Sequence, residues 1–175
     1  ILPVGLSFFT LKKIAYTLDV SRGILRPTRD LAAFALFVAF FPQIASGPID
    51  RAQKLLPQIE SLRQWKAENF YKAWPLLVMG FFKKFVIADT LALMALNDAL
   101  ATQVHATGWM WFHLYAYAFQ IYFDFSGYTD IAIGIARLAG IKLPENFTSP
   151  YAKPNLAQFW NSWHITLTQW IRAYF

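Results

Sequence analysis

Residues 108–123, GWMWFHLYAYAFQIYF, carry no charge apart from a titratable histidine, and residues 31–45 carry none at all. Runs of this kind restrict the chain to folds that bury them in protein or in lipid. Composition points to lipid: 57% of residues are hydrophobic, 18% aromatic and 15% charged, with a mean hydropathy of +0.34. An ordinary soluble domain is about 25% charged. The expectation is an all-α, polytopic transmembrane helical bundle, one membrane domain over residues 1–175, with the lipid bilayer as its first partner.

The net charge of +6 does not suggest nucleic acid, because the cations sit in short connectors between apolar segments, as juxtamembrane loops do. With no cysteine, the chain has no disulfide, thiolate ligand or cysteine nucleophile. The start, ILPVGLSFFTLKK, lacks methionine, a basic n-region and a small-residue cleavage site, and the end stops inside a helical pattern. Both ends look cut, as in an internal fragment of a longer membrane protein.

Residues 3–18 are apolar except for Lys12 and Lys13, and the connector DVSRGILRPTRD follows, where Pro27 argues against helix. Residues 31–45 are too few to cross a hydrocarbon core of about 30 Å unaided. Both flanks are basic, which suits a re-entrant hairpin broken near Pro42 or at Ser46-Gly47-Pro48. Residues 50–72 are polar, with Leu55, Leu56, Ile59, Leu62 and Trp65 near helical spacing, and read as one cytoplasmic or interfacial helix. Lys83 and Lys84 interrupt the next apolar segment, so they must snorkel, face a cavity or mark a break. Pro144, Pro150 and Pro154 exclude a stable helix from the connector before the last segment, for which Asn155 is an N-cap candidate.

Two constellations carry candidate chemistry. On a wheel of residues 158–175, Asn161, His164, Thr168 and Arg172 form a polar seam beside aromatics that include Trp163. His164 has the properties of a general base, although amphipathic rings are also common at membrane interfaces. In YAFQIYFDFSGYTDIAIG, Gln120 and Asp124 lie one turn apart, as do Ser126 and Asp130, with Tyr128 nearby. Buried carboxylates are functional candidates, yet Asp124 or Asp130 can equally pair with Arg137, Lys83 or Lys84 to hold helices together. Gly127 permits a break or close backbone packing. His105 and His113 have no carboxylate at ligand spacing, so no metal site is expected. Asn146-Phe147-Thr148 reads as a glycosylation triplet, and no nucleotide loop is present.

The succession LPVGLSFFTLKKIAYTLDVSRG, FFPQIASGPIDRAQKLLPQI, GFFKKFVIAD, YAFQIYFDFSGYTDIAIGIARLAGIKLPENFTSPY and FWNSWHITLTQWIRAYF resembles the membrane-bound O-acyltransferase family, in its bacterial alginate O-acetyltransferase-like branch. The resemblance implies a multi-pass protein of the cell inner membrane that moves an acyl group, acetyl in the first instance, from a cytoplasmic thioester donor to a hydroxyl of an envelope polysaccharide. The donor would be acetyl-CoA or an acyl-carrier protein. No bound cofactor is implied, and the acceptor is the polysaccharide itself or an extracytoplasmic acyltransferase partner. His164 matches the first of two polar active-site positions, the one inside a WHxSLS-like motif. The second, a histidine in a later apolar segment, would fall beyond Phe175, leaving this stretch incomplete for catalysis. Asn161 and Ser162 stand where the family usually has arginines, Thr166 and Thr168 where it has serines, and Arg172-Ala173-Tyr174 where it reads RDY. Two other functions fit the residues alone: a transporter with Asp124 and Asp130 as proton relay, and a scaffold docking partners through residues 50–72.

Overall fold

A computed structural model describes residues 5–61, 66–103 and 106–175, and every regular element among them is helical. The elements are α1 (Leu6–Ser21), α2 (Leu31–Val38), α3 (Phe41–Ile44), α4 (Ala52–Glu60), α5 (Ala67–Phe81), a π-helical segment (Phe82–Ala88), α6 (Asp89–Ala92), α7 (Asp98–Gln103), α8 (Thr107–Leu138), a 3-10 turn (Pro150–Ala152), α9 (Leu156–Trp160) and α10 (Ile165–Tyr174). The all-α expectation therefore holds. Among the described residues, however, no helix is long and apolar enough to cross a membrane.

Local chemistry sets the helix boundaries. Asp30 caps α2 by accepting from the amides of Ala32 at 2.8 Å and Ala33 at 3.1 Å. At the other end the buried ammonium of Lys12 donates to Phe37 O at 2.9 Å, satisfying a carbonyl in the last turn of α2. The charge-free run 31–45 is thus two short helices joined at Ala39-Phe40, just ahead of Pro42, and the second ends at Ile44, ahead of Ser46-Gly47-Pro48, the other break expected. α8 runs unbroken because no proline falls within it, and it ends in a Schellman motif: Gly140, at φ 76°, donates to Arg137 O and Ile141 donates to Ala136 O, each at 2.9 Å.

The sequence reading of residues 50–72 as one helix is corrected. α4 ends at Glu60 with Ser61, in extended backbone, as its C-cap, and α5 starts anew at Ala67, so the stretch holds two helices that pack differently. Leu55 and Leu56 are buried as the spacing requires, whereas Leu62 and Trp65 lie outside the described residues. The main core joins α2, α4 and the end of α8 through Phe37, Phe40, Leu55, Leu56, Ile133, Ala136, Ile141 and Leu143.

α5 and the π segment lie along α8. Gly80 and Gly127 make this approach possible, since a Cβ on Gly127 would stand 2.8 Å from Gly80 O and 2.9 Å from Lys84 N. Gly127 therefore serves close packing, and α8 does not break there. The wide turn of the π segment lets two successive lysines reach the same helix: Lys83 pairs with Asp130 at 2.6 Å and Lys84 pairs with Asp124.

Candidate active site

The segment at residues 158–175 is not one helix, so the seam drawn on the wheel is corrected. Asn155 caps α9 through Gln158 N, as expected, but α9 stops at Trp160. Residues 161–164 form a turn in which Ser162 N and Trp163 N both donate to Phe159 O. His164 then adopts a left-handed backbone, φ 44° and ψ 53°, and α10 begins behind it. A non-glycine residue held there costs about 1–3 kcal/mol and persists only where its surroundings over-determine it. The turn still brings Asn161 to Arg172, whose Nη2 donates to Asn161 Oδ1 at 2.7 Å on an exposed surface. Thr168 is half-buried beside Trp160 O at a long 3.4 Å.

The over-determination comes from the connector before α9. Ile165 N donates to Asn146 O at 2.9 Å and Thr148 N donates to Ser162 O at 3.0 Å, so the residues around 146–148 are laced to the turn. The fully buried Asn146 places its Oδ1 at 3.0 Å from His164 Nδ1, 2.8 Å from Thr166 Oγ1 and 3.3 Å from Thr166 N. Thr166 Oγ1 in turn accepts from Ile49 N at 2.9 Å, tying the site to the connector ahead of α4. Neither Asn146 nor Thr166 was singled out as a site residue from the sequence. The only local mark on Asn146 was a glycosylation triplet, and its partners lie 18 and 20 residues away.

One edge of the His164 ring meets Phe125 of α8, with centroids 4.9 Å apart and planes at 81°. Trp163 is enclosed by Tyr122, Phe147, Tyr151 and Phe159, at centroid distances of 6.0, 5.2, 6.0 and 5.7 Å. Among the described residues no carboxylate stands against the half-buried imidazole, and burial pulls its pKa well below the usual histidine value, so the neutral ring is favoured at physiological pH. Its Nε2 meets no hydrogen-bonding group among the described residues.

Two cavities flank this histidine through its neighbours. Asn146 lines one of about 600 Å³ together with Lys83, Tyr122, Ser126, Thr129, Asp130, Arg137, Glu145 and Lys153. Ser126 Oγ, Thr129 Oγ1, Arg137 Nε and Asn146 Nδ2 are buried around it without a hydrogen-bond partner among the described residues, which suits a polar occupant. Phe125 lines the other, about 220 Å³, with Lys84, Asp124 and Tyr128. A third cavity, about 500 Å³, touches Thr166 and Arg172 and includes Asp50, whose carboxyl is pushed above the usual range by burial, against the opposing pull of the Arg51 amide and nearby cations.

The structure therefore brings His164 together with Trp163 and the surroundings of Ser126, and leaves the others at its margins. Asp124 and Asp130 each face a lysine rather than the imidazole. Gln120 is half-buried on α8 and enters no hydrogen bond with a described residue. His113 faces Met94 O at 2.6 Å, His105 lies outside the described residues, and among those described no three potential ligands gather for a metal ion.

Residues 7–175 match the model of the MBOAT, membrane-bound O-acyltransferase family. The chain belongs to the membrane-bound O-acyltransferase family. It is 42% identical over 174 residues to the probable alginate O-acetylase AlgI of Pseudomonas putida, covering 99% of this chain and 36% of that protein. It is 37% identical over 201 residues to the peptidoglycan O-acetyltransferase of Helicobacter pylori, covering 99% and 38%. With the teichoic acid D-alanyltransferase of Bacillus subtilis it shares 32% identity over 176 residues, covering 98% and 44%. The chain thus spans about a third of the length of the alginate O-acetylases it matches. The three relatives are named for acetyl or D-alanyl transfer, and the polymers in their names are alginate, peptidoglycan and teichoic acid.

Proposed function

We propose that this chain is part of an acyltransferase embedded as a helical bundle in the inner membrane, moving an acetyl group from a thioester to a hydroxyl of an envelope polysaccharide such as alginate. The donor is acetyl-CoA or an acyl-carrier protein on the cytoplasmic side, and the acceptor is the polymer or an extracytoplasmic acyltransferase that passes the group on. The reading is carried by His164: a neutral imidazole tied down at Nδ1 by Asn146, which itself lines a polar cavity, with Nε2 unengaged among the described residues.

In the reaction, the acceptor oxygen attacks the thioester carbonyl carbon while Nε2 takes its proton. The C–S bond of the tetrahedral adduct breaks, the sulfur leaves with its electron pair, and the proton held at Nε2 passes to it, giving an ester and a thiol. No covalent enzyme intermediate is required, consistent with a chain that lacks cysteine. Ser126, Thr129 and Arg137 offer donors to the substrate in the cavity, and the Lys83–Asp130 and Lys84–Asp124 pairs fix the helices that wall it. The exposed belt Trp74, Phe85, Trp109 and Tyr115 on α5, the π segment and α8 suits contact with lipid.

The test is transfer of radiolabelled acetyl into envelope polymer by the full-length protein. His164→Ala is expected to lower the rate by roughly 10²- to 10⁴-fold, the usual weight of a general base. Transfer at the normal rate by a stably inserted His164→Ala protein overturns the role given to this residue.

A further inference from the structure

A neutral imidazole can carry its proton on either nitrogen, and a base acting through Nε2 needs it on Nδ1. The contacts of Asn146 decide between the two. The backbone N–H of Thr166 can only donate, so the amide atom it faces is the oxygen, which fixes the orientation of the Asn146 side chain. An amide oxygen can only accept, so the His164 nitrogen 3.0 Å from it must be the protonated one. Asn146 cannot turn away, because it is 1% exposed and its own carbonyl is held by Ile165 N. Thr166 Oγ1 donates to the same oxygen and is itself held by Ile49 N.

We infer that Asn146 is the positioning residue of the site, holding His164 in the Nδ1-protonated tautomer so that the Nε2 lone pair receives the proton of the acceptor hydroxyl. The inference rests on the acyl-transfer reading above for its consequence, but the tautomer itself does not. An amide suits the position better than a carboxylate. Aspartate would also accept from Nδ1, yet its charge would favour the doubly protonated ring, which cannot act as a base. Among the charged groups on the packed elements, Asp124 pairs with Lys84 on α8, Arg172 donates to Asn161 beyond the turn, and Glu145 and Asp50 stand next in sequence to Asn146 and Ile49; His164 Nδ1 bonds to none of them but to the amide oxygen of Asn146.

The experiment uses the full-length protein in nanodiscs with ¹⁵N-labelled histidine, the His164 signals being those lost in His164→Ala. At pH 7.5 the wild type is expected to show Nδ1 protonated and Nε2 bare. Asn146→Leu keeps the bulk and removes the hydrogen bonds. It should mix the two tautomers and lower kcat in proportion to the Nδ1-protonated share that is lost, by less than His164→Ala does, with KM for the acceptor little changed. Asn146→Asp keeps the oxygen and should show Nδ1 protonated, with a growing share of ring protonated at both nitrogens. A folded Asn146→Leu protein with the wild-type tautomer, or with wild-type kcat, overturns the inference. If the leucine protein does not fold, Asn146→Asp decides: an unchanged neutral spectrum overturns it, and the doubly protonated ring supports it. Full activity in His164→Ala would instead remove the acyl-transfer role, leaving the spectra to judge the Asn146–His164 contact alone.

Discussion

At the scale of single residues, Thr166 shows how few atoms hold the site. Its one hydroxyl accepts from Ile49 N at 2.9 Å and donates to Asn146 Oδ1 at 2.8 Å, with the residue 3% exposed. Serine can make both bonds, whereas valine has the same shape and makes neither, stranding a buried backbone donor. Stranding a buried donor costs about 1–3 kcal/mol. Thr166→Val should therefore unfold at lower temperature in detergent by an amount corresponding to that loss, and Thr166→Ser should stay near wild type; equal melting of the two would show that the hydroxyl does not hold the connector. The sequence displays His164, because an imidazole among tryptophans draws notice, but spacing alone leaves a general base and an interfacial ring side by side. It does not display Asn146 or Thr166, because their meaning lies in contacts that close loops of 18 to 117 residues. Nor does it announce the left-handed backbone of His164, which glycine or asparagine would have marked.

Elements show the same division between local and distant causes. The N-cap at Asn155 and the proline-bound connector were legible, because each depends on residues within one turn. The joints at Ser61 and at residues 161–164 were not, since periodicity continues across them while the backbone turns to satisfy packing elsewhere. The packing of α5 on α8 gives a direct test. A methyl at Gly127 would press on backbone from two sides, Gly80 O at 2.8 Å and Lys84 N at 2.9 Å, and backbone cannot rotate aside as a side chain can. Overpacking of this kind costs about 1–3 kcal/mol, and it would also part the lysines of the π segment from Asp124 and Asp130. Gly127→Ala is thus expected to lower the melting temperature, while Gly108→Ala on the same helix, where nothing lies within 4 Å, is expected to leave it unchanged or raise it. Equal effects in thermal unfolding would mean that the close approach does not limit this helix pair.

For the whole molecule, the open matter is how a chain of a membrane family meets lipid when none of its described helices is a simple apolar span. α8 answers in part. Its 32 residues extend about 48 Å, beyond a hydrocarbon core of about 30 Å. Its first half is charge-free and its second half holds Asp124, Asp130 and Arg137. The two carboxylates face α5 and the π segment, where the lysines neutralise them, so the polar half can lie at depth only with that side turned into the bundle. Elsewhere along α8, Trp109 is 62% and Tyr115 59% exposed and free to face acyl chains, as are Trp74 and Phe85, each 57% exposed. Because this chain has no cysteine, single cysteines bearing nitroxide labels can map the arrangement once any cysteines elsewhere in the full-length protein are replaced. Labels at Phe85 and Tyr117 should relax more strongly with oxygen, which concentrates in lipid, than with a water-soluble nickel chelate. Labels at Arg29 and Asp98, exposed in the connector ahead of α2 and at the start of α7, should show the reverse. Collisions with the nickel chelate dominating at Phe85 and Tyr117 would place the aromatic belt in water and remove the lipid-facing role from these helices. Low accessibility to both reagents would place it against protein, making the belt a docking face for the rest of the bundle.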